Sequence, residues 1–322
     1  MHQAQASFSI ADRSRSGIIF VLLGVIAFTV QDVIVKFLSG DYSIHQIVLF
    51  RCLGALPFVS ALFLYEGGIR ALRVLPLGRV TLRSVIQYLS YMLWFLSLGA
   101  MSIADALAIG FVSPLIITAL SALVLGARIG LGRWLAIVAG FAGAIVMLRP
   151  GFGVFEPAAL LVLASAVCYA VSAILTRRLG ATVSSAAMSL HSLMLAMLLS
   201  GLAGWFANGI PLEDGSHPSL QLMFRAWKWP EATDAALMLS AGVAAGAGMI
   251  AVAQAYRISL PAVIAPFEYT AMIWALLAGY VFWSAVPDVL SIAGTIFIIG
   301  AGLYIAICEG VRRPDRRTAK QT

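Results

Sequence analysis

The chain contains two related sets of apolar segments. Residues 98–148 align without a gap on 255–305, and residues 20–36 align on 161–177. Matched positions include Ser102 and Ser259, Ala108 and Ala265, Gly143 and Gly300, and Phe28 and Tyr169. Each set holds about five apolar segments, an odd number, so we expect the two sets to cross a membrane in opposite directions. Inverted repeats of this kind are typical of secondary transporters, whose substrates bind near mid-membrane where the repeats meet.

The composition places the chain in a membrane. Hydrophobic residues make up 61% and charged residues 11%, whereas a soluble domain carries about 25% charged residues. A crossing helix needs roughly 20 apolar residues, which predicts an all-α protein with about ten spans around a central cavity. The spans fall at 17–38, 44–65, 82–100, 104–126, 131–149, 156–176, 184–206, 235–255, 260–283 and 288–308. The expected units are an N-terminal tail (1–16), a first five-helix repeat (17–149), a second (155–308) and a basic tail (309–322).

The distribution of basic residues predicts the orientation. With the N-terminus inside, 16 lysines and arginines fall in cytoplasmic segments and four, Lys36, Arg149, Arg225 and Lys228, fall on the other side. This bias follows the positive-inside rule and predicts a multi-pass protein of the bacterial inner membrane with both termini cytoplasmic. The net charge of +7 is then explained by cytoplasmic loops that face anionic lipid. No nucleic-acid partner is required.

Charged residues inside spans are the first candidates for function, because each is costly unless it is paired or hydrated. Asp32 and Lys36 are four residues apart and share one helix face. Arg51, in the second span, is expected at a similar depth. The three residues could form an ion-paired structural cluster, or they could line or gate a water-filled path.

Glu268 lies within the ninth span, in the segment Ala265–Thr270. The neighbouring Pro266 lacks a backbone donor, so it predicts a kink with spare polar groups. A carboxylate beside this kink could bind a cationic or hydroxylated substrate or take up a proton. The alternative is a buried, protonated glutamate bonded to a neighbouring helix. Pro114 predicts an equivalent break in the fourth span.

These features together resemble the drug/metabolite transporter superfamily, EamA type. The resemblance is carried by Ala265–Thr270, the Leu148-Arg149-Pro150-Gly151 exit of span five, Arg51 and the two five-span repeats. It implies ten helices, internal termini and a cavity formed mainly by spans one, three, four, six, eight and nine. One feature departs from the family pattern, since Gly126-Ala127 and Trp283-Ser284 stand where Gly-Glu often follows the fourth span of each repeat.

Polar and aromatic residues of these spans are candidates to line the cavity. Gln87, Tyr91, Trp94 and Leu98 recur at three- and four-residue steps, hence on one face of span three. The further candidates are Tyr169, Ser172, Gln254, Tyr269 and Trp274. Such aromatic stripes could equally serve helix packing, whereas together they would suit a substrate with a flat ring and hydrogen-bonding edges. Gly242 and Gly246 predict a close helix contact.

Other chemistry finds little support in the sequence. The histidines and cysteines lack metal-site spacing, and no phosphate-binding glycine loop occurs. We therefore predict no cofactor, no metal and no enzymatic activity, with an intramembrane enzyme or a structural scaffold as the alternatives. The leading hypothesis is a secondary transporter of a small organic metabolite, with protons as a candidate coupling ion and either a monomeric or a homodimeric state. Riboflavin uptake is the first specific hypothesis, S-adenosylmethionine uptake the second, and export of amino acids or toxic metabolites the alternative.

Overall fold

The computed structural model describes residues 2–66, 68, 76–125, 130–148, 156–179, 183–208, 210–213, 215–258 and 267–311. These residues form helices and connecting turns, with no strand among them. The helices are α1 (His2–Leu38), α2 (Ile44–Tyr65), α3 (Leu77–Leu98), α4 (Ile103–Gly110), α5 (Ser113–Leu125), α6 (Leu131–Leu148), α7 (Ala158–Leu179), α8 (Ser185–Ala207), α9 (Pro218–Phe224), α10 (Ala232–Ile258), α11 (Ala271–Trp283) and α12 (Val289–Val311). Pro266, Gly126-Ala127 and the basic tail from residue 312 lie outside the described residues.

The helices confirm an all-α membrane protein. Among the described residues, seven stretches are long and apolar enough to cross a membrane, namely Arg15–Leu38, Ile44–Tyr65, Ile103–Leu120, Leu131–Leu148, Ala158–Thr176, Ala186–Ala207 and Ala232–Ala255. Shorter apolar helices cover Ala271–Trp283 and Val289–Ile305. The remaining span, α3, carries arginine, serine and glutamine side chains along its length. Those side chains lower its mean hydropathy, and several of them face the interior of the bundle.

Three boundaries differ from the expected ones. Helix α1 continues back to His2, so the segment predicted as an N-terminal tail is helical; it contains no proline or glycine before Gly17 that would end a helix. Helix α3 begins at Leu77 rather than at residue 82. The predicted fourth span is divided into α4 and α5.

The break in this span lies at residues 111–112, just before Pro114, as the proline predicted. Val112 N donates to Ile109 O and Leu115 N donates to Val112 O. Hydrogen bonds to the residue three positions earlier therefore replace some of the four-residue bonds of an α-helix there. Proline is tolerated in the first turn of α5, where its missing donor is not needed. Gly110, the last residue of α4, has no side chain, so another residue can pack closely against the helix just before the break.

Polar contacts define the two ends of the bundle. At the upper face, which comprises 39–43, 99–102 and 210–231, Arg225 Nη1 donates to Ser39 O at 2.6 Å and Ser219 Oγ donates to Leu96 O at 2.8 Å. At the lower face, which comprises 66, 76, 130 and 183–184, Ala186 N donates to Glu66 Oε2 at 3.0 Å. Helix α1 runs from the lower to the upper face, whereas its repeat counterpart α7 runs the other way.

The helix contacts respect the inverted repeat. Helix α1 packs along α10 as its counterpart α7 packs along α3, and α2 packs on α10 as α8 packs on α3. Helices α2 and α8, and likewise α6 and α12, pair with each other across the repeat boundary. Exchange of the two halves thus maps one set of contacts on the other, as expected for two inverted five-helix repeats around a central cavity.

The closest of these contacts joins α2 to α10. A Cβ atom built on Gly242 would lie 2.0 Å from Arg51 O, and one on Gly54 would lie 2.0 Å from Leu239 O. A Cβ on Gly246 would meet Phe58 Cβ at 2.9 Å. The two backbones therefore touch, which confirms the close packing predicted for Gly242 and Gly246 and fixes the depth of Arg51.

Candidate functional site

Two of the cavities that the described residues form between the repeats contain predicted site residues. The first, here called the basic cavity, measures about 170 Å³ and is lined by α2, α3, α8 and α10, with Arg51, Arg83, Gln87 and Tyr91 among its residues. The second, the acidic cavity, measures about 250 Å³ and is lined by α1, α4, α7 and α10 and by the residues around Glu268.

The aromatic ring of Phe28 lines both cavities. The ring therefore lies where they adjoin, and a small rotation of this side chain would change how far the two spaces communicate. Its repeat counterpart Tyr169 lines the acidic cavity.

Arg51 is held in the basic cavity by hydrogen bonding and by aromatic rings. The side chain is 8% exposed, and its Nε donates to Gln31 Oε1 at 2.8 Å. Its guanidinium carbon lies 5.4 Å from the ring centroids of both Tyr91 and Phe95, a range in which cation–π attraction is effective. Arg51 is thus oriented on two sides within the cavity.

Asp32 lies in the acidic cavity and is linked to Arg51 through one intervening side chain. Gln31 Nε2 donates to Asp32 Oδ1 at 3.0 Å, and Trp94 Nε1 donates to the same oxygen at 3.3 Å. Gln31 therefore bridges the carboxylate of one cavity and the guanidinium of the other.

The indole ring of Trp94 packs against Gly110, beside the break of span four. A Cβ built on Gly110 would lie 3.0 Å from the Trp94 ring, so a larger residue there would push the ring away from Asp32. The break before Pro114 thus helps to place the indole donor of the site.

Lys36 binds backbone carbonyls at the end of α3 and in the turn that follows, and not Asp32, with which it shares a helix face. Its Nζ donates to Leu98 O at 2.8 Å and to Met101 O at 2.7 Å, and it lies 5.4 Å from the centroid of the Trp283 ring. The last carbonyls of a helix lack partners within it and attract a cation. Leu98 is the last residue of α3 and Met101 lies in the turn that follows, so Lys36 binds both the end of α3 and this turn at the upper face. The predicted cluster of Asp32, Lys36 and Arg51 is not formed.

Several predicted residues do line the cavities, while others pack elsewhere. Gln87 and Tyr91 line the basic cavity, and Asp32, Tyr169 and Glu268 line the acidic one. Gln254, Tyr269 and Trp274 line neither cavity as the described residues define them.

The surroundings of Tyr269 and Trp274 explain why these two side chains line neither cavity. A Cβ on Gly302 would collide with Tyr269 Oη, and the Tyr269 ring packs on Phe111 at 4.8 Å, so Tyr269 fills space between helices. Trp274 is 36% exposed beside the exposed Ile273 and Leu277, on the outer side of α11.

Arg83 was not among the predicted site residues, because it was one of the 16 basic residues placed in cytoplasmic segments. Arg83 lines the basic cavity; its Nε donates to Thr176 Oγ1 at 2.9 Å and its Nη1 to Ser192 Oγ at 2.6 Å. The four-residue steps from Arg83 to Gln87 and from Gln87 to Tyr91 indicate one helix face.

Comparisons with known proteins agree with this architecture. The sequence profile of the EamA-like transporter family matches residues 15–149 and 156–307. One solved structure, described only as a crystal structure of a protein, superposes with a TM-score of 0.61 and 16% identity over 92% of this chain and 99% of its own; it shows the fold alone.

Curated relatives span nearly the whole chain. An S-adenosylmethionine uptake transporter of Rickettsia prowazekii is 24% identical over 91% of this chain and 93% of its own. A riboflavin transporter of Rhizobium johnstonii is 27% identical over 95% of both chains. The pseudopaline exporter CntI of Pseudomonas aeruginosa is 26% identical over 92% of this chain and 98% of its own.

Proposed function

Because the chain belongs to the EamA-like transporter family, we propose that it is a secondary transporter that moves a small organic metabolite across the bacterial inner membrane by alternating access. Both termini then lie in the cytoplasm, and the upper face is periplasmic. The observation that carries this proposal is the pair of adjoining cavities, one basic and one acidic, between helices of the two repeats. A site at the repeat interface is where such carriers bind their substrates.

Riboflavin is the substrate that the basic cavity favours. Arg51, Arg83 and Gln87 supply N–H donors, and Tyr88 and Tyr91 supply aromatic surface. No carboxylate is among the described residues that line this cavity. A flat, neutral ring with carbonyl and imine acceptors fits such a set of donors and rings, and the Rhizobium johnstonii relative is a riboflavin transporter.

S-adenosylmethionine is the second candidate, and the acidic cavity favours it. Asp32 and Glu268 line that cavity, and two carboxyl groups would attract a sulfonium or an ammonium group. The carboxylate of the same molecule could then approach Arg51 across Phe28. Import is proposed for both compounds, and export is the alternative, since the pseudopaline exporter is equally similar to this chain.

Uptake assays test the proposal. Purified protein in liposomes should exchange internal unlabelled riboflavin for external tritiated riboflavin, saturably and without covalent change to the solute. Parallel vesicles loaded with S-adenosylmethionine test the second candidate, and a pH gradient with and without a protonophore tests proton coupling. If the protein exchanges S-adenosylmethionine and not riboflavin, S-adenosylmethionine becomes the assigned substrate. If it exchanges neither compound, both assignments are refuted.

A further inference from the structure

One buried donor in the basic cavity has no hydrogen-bond partner among the described residues. Gln87 on α3 is 5% exposed, and its Oε1 accepts a hydrogen bond from Ser172 Oγ at 2.8 Å. Its Nε2 is buried and makes no hydrogen bond within the described structure. Leaving a buried N–H unpaired is unfavourable, so this amide group calls for an explanation.

The surroundings of Gln87 indicate what would satisfy it. The residue lines the basic cavity together with Arg51 and Arg83, and each guanidinium offers donors but no acceptor. Arg83 is held in place by Thr176 and Ser192. The cavity thus presents N–H groups from three side chains, while the described residues that line it carry no carboxylate.

We infer that Gln87 Nε2 is a specificity determinant that donates to an acceptor atom of the transported compound. The compound must then present a carbonyl, carboxylate or ring-nitrogen edge towards α3, where Arg51 and Arg83 provide the complementary charge. This inference rests on the proposed function. A site that is built to hydrogen-bond a substrate group rejects analogues that lack the group, because its own buried donor is then left unpaired.

The bond with Ser172 leaves the NH₂ end of the Gln87 amide group free in this structure. The Ser172 hydroxyl donates to Oε1, the other end of that group. Gln87→Glu keeps an oxygen for Ser172 and replaces the free donor with an acceptor oxygen of an ionisable carboxyl group. Gln87→Met has a similar length and removes both polar ends. The two variants therefore separate loss of the donor from loss of the Ser172 bond.

Uptake of tritiated riboflavin and of tritiated S-adenosylmethionine is measured for the parent chain and for Gln87→Glu, Gln87→Met and Gln221→Met. Gln221, on α9 at the upper face, is the matched control and should leave KM unchanged. For whichever compound the parent transports, Gln87→Glu and Gln87→Met should raise KM about tenfold or more. An unchanged KM in both variants would overturn the inference while leaving the proposed function intact.

A stability measurement tests the inference without a substrate. The double variant Gln87→Met/Ser172→Ala removes both partners of the bond, and such paired replacement is nearly neutral or stabilising. Its Tm in detergent should equal or exceed that of the empty parent. A clear fall in Tm would show that Gln87 is a structural residue and would refute its assignment to the substrate. Failure of the parent to transport either compound bears instead on the proposed function.

Discussion

Gly242→Ala tests how the α2–α10 contact sets the depth of the site. The added Cβ would lie 2.0 Å from Arg51 O and 2.7 Å from Ala55 N, whereas nonbonded carbon contacts are comfortable at about 3.5–4.0 Å. The obstacles are backbone atoms, so the helices must separate by roughly 1.5 Å. Overpacking of this kind costs about 1–3 kcal/mol. It also displaces Arg51, whose Nε lies 2.8 Å from Gln31 Oε1.

The assay combines thermal unfolding in detergent with uptake in liposomes. We expect Gly242→Ala to lower Tm and to reduce uptake of the transported compound. Gly300→Ala is the control, because a Cβ built there meets nothing within 4 Å and alanine is favoured over glycine in a helix by up to about 1 kcal/mol. Equal stability and equal uptake of the two variants would refute the close contact as the element that positions Arg51.

Three further substitutions test individual residues of the site. Glu268→Gln should abolish uptake while the protein still inserts, and unchanged uptake would remove Glu268 from the mechanism. Gln31→Leu severs the link between Arg51 and Asp32, so it should lower uptake about tenfold or more, with Tm as the check that the fold persists. Lys36→Met loses two bonds to carbonyls at the end of α3 and should lower the free energy of unfolding by about 1–3 kcal/mol; an unaltered chemical unfolding curve would contradict this.

The fold was predictable because the membrane imposes it on the sequence. Apolar segments of about 20 residues and an odd number of spans per repeat allow few architectures. Pro114 also located the break in span four, since a proline removes a helical hydrogen bond, although α2 accommodates Pro57 in its interior. The helical extension of α1 to His2 was missed, because hydropathy marks where a helix is apolar and not where it begins.

The site was only partly predictable, because side-chain partners depend on which helices meet. Asp32 and Arg51 were found because charged residues are costly in the membrane, but their connection through Gln31 depends on the packing of α1 and of α2 on α10. Lys36 was assigned to Asp32 by helical spacing, whereas the nearby end of α3 offered it two carbonyls. Arg83 looked like a loop charge, because a polar helix face turned to a cavity lowers hydropathy in the same way as a loop does.

Polar contacts join helices near both faces of the bundle. At the upper face, Tyr42 Oη donates to Asp234 Oδ2 at 2.5 Å, a bond that raises the pKa of Tyr42, and Lys36 holds the end of α3. At the lower face, Arg83 ties α3 to α7 and α8, next to a contact of 3.1 Å between Ser84 Oγ and His191 Nδ1. The alternating-access cycle that we propose must break one set while it keeps the other.

The small number of hydrogen bonds at each face suits an alternating-access cycle. Each set consists of a few hydrogen bonds at about 0.5–1.5 kcal/mol net, and somewhat more where a charge takes part. Opening either face therefore costs a few kcal/mol, while a shift from 1:99 to 99:1 requires about 5.5 kcal/mol of differential binding. A substrate that reaches Arg83 contacts a residue of the lower set directly, so binding and opening of that face share one side chain. Substrate bound beside α3 would therefore shift, through Arg83, the equilibrium between the state open at the upper face and the state open at the lower face. Lys36 would stabilise the upper face without contacting the substrate.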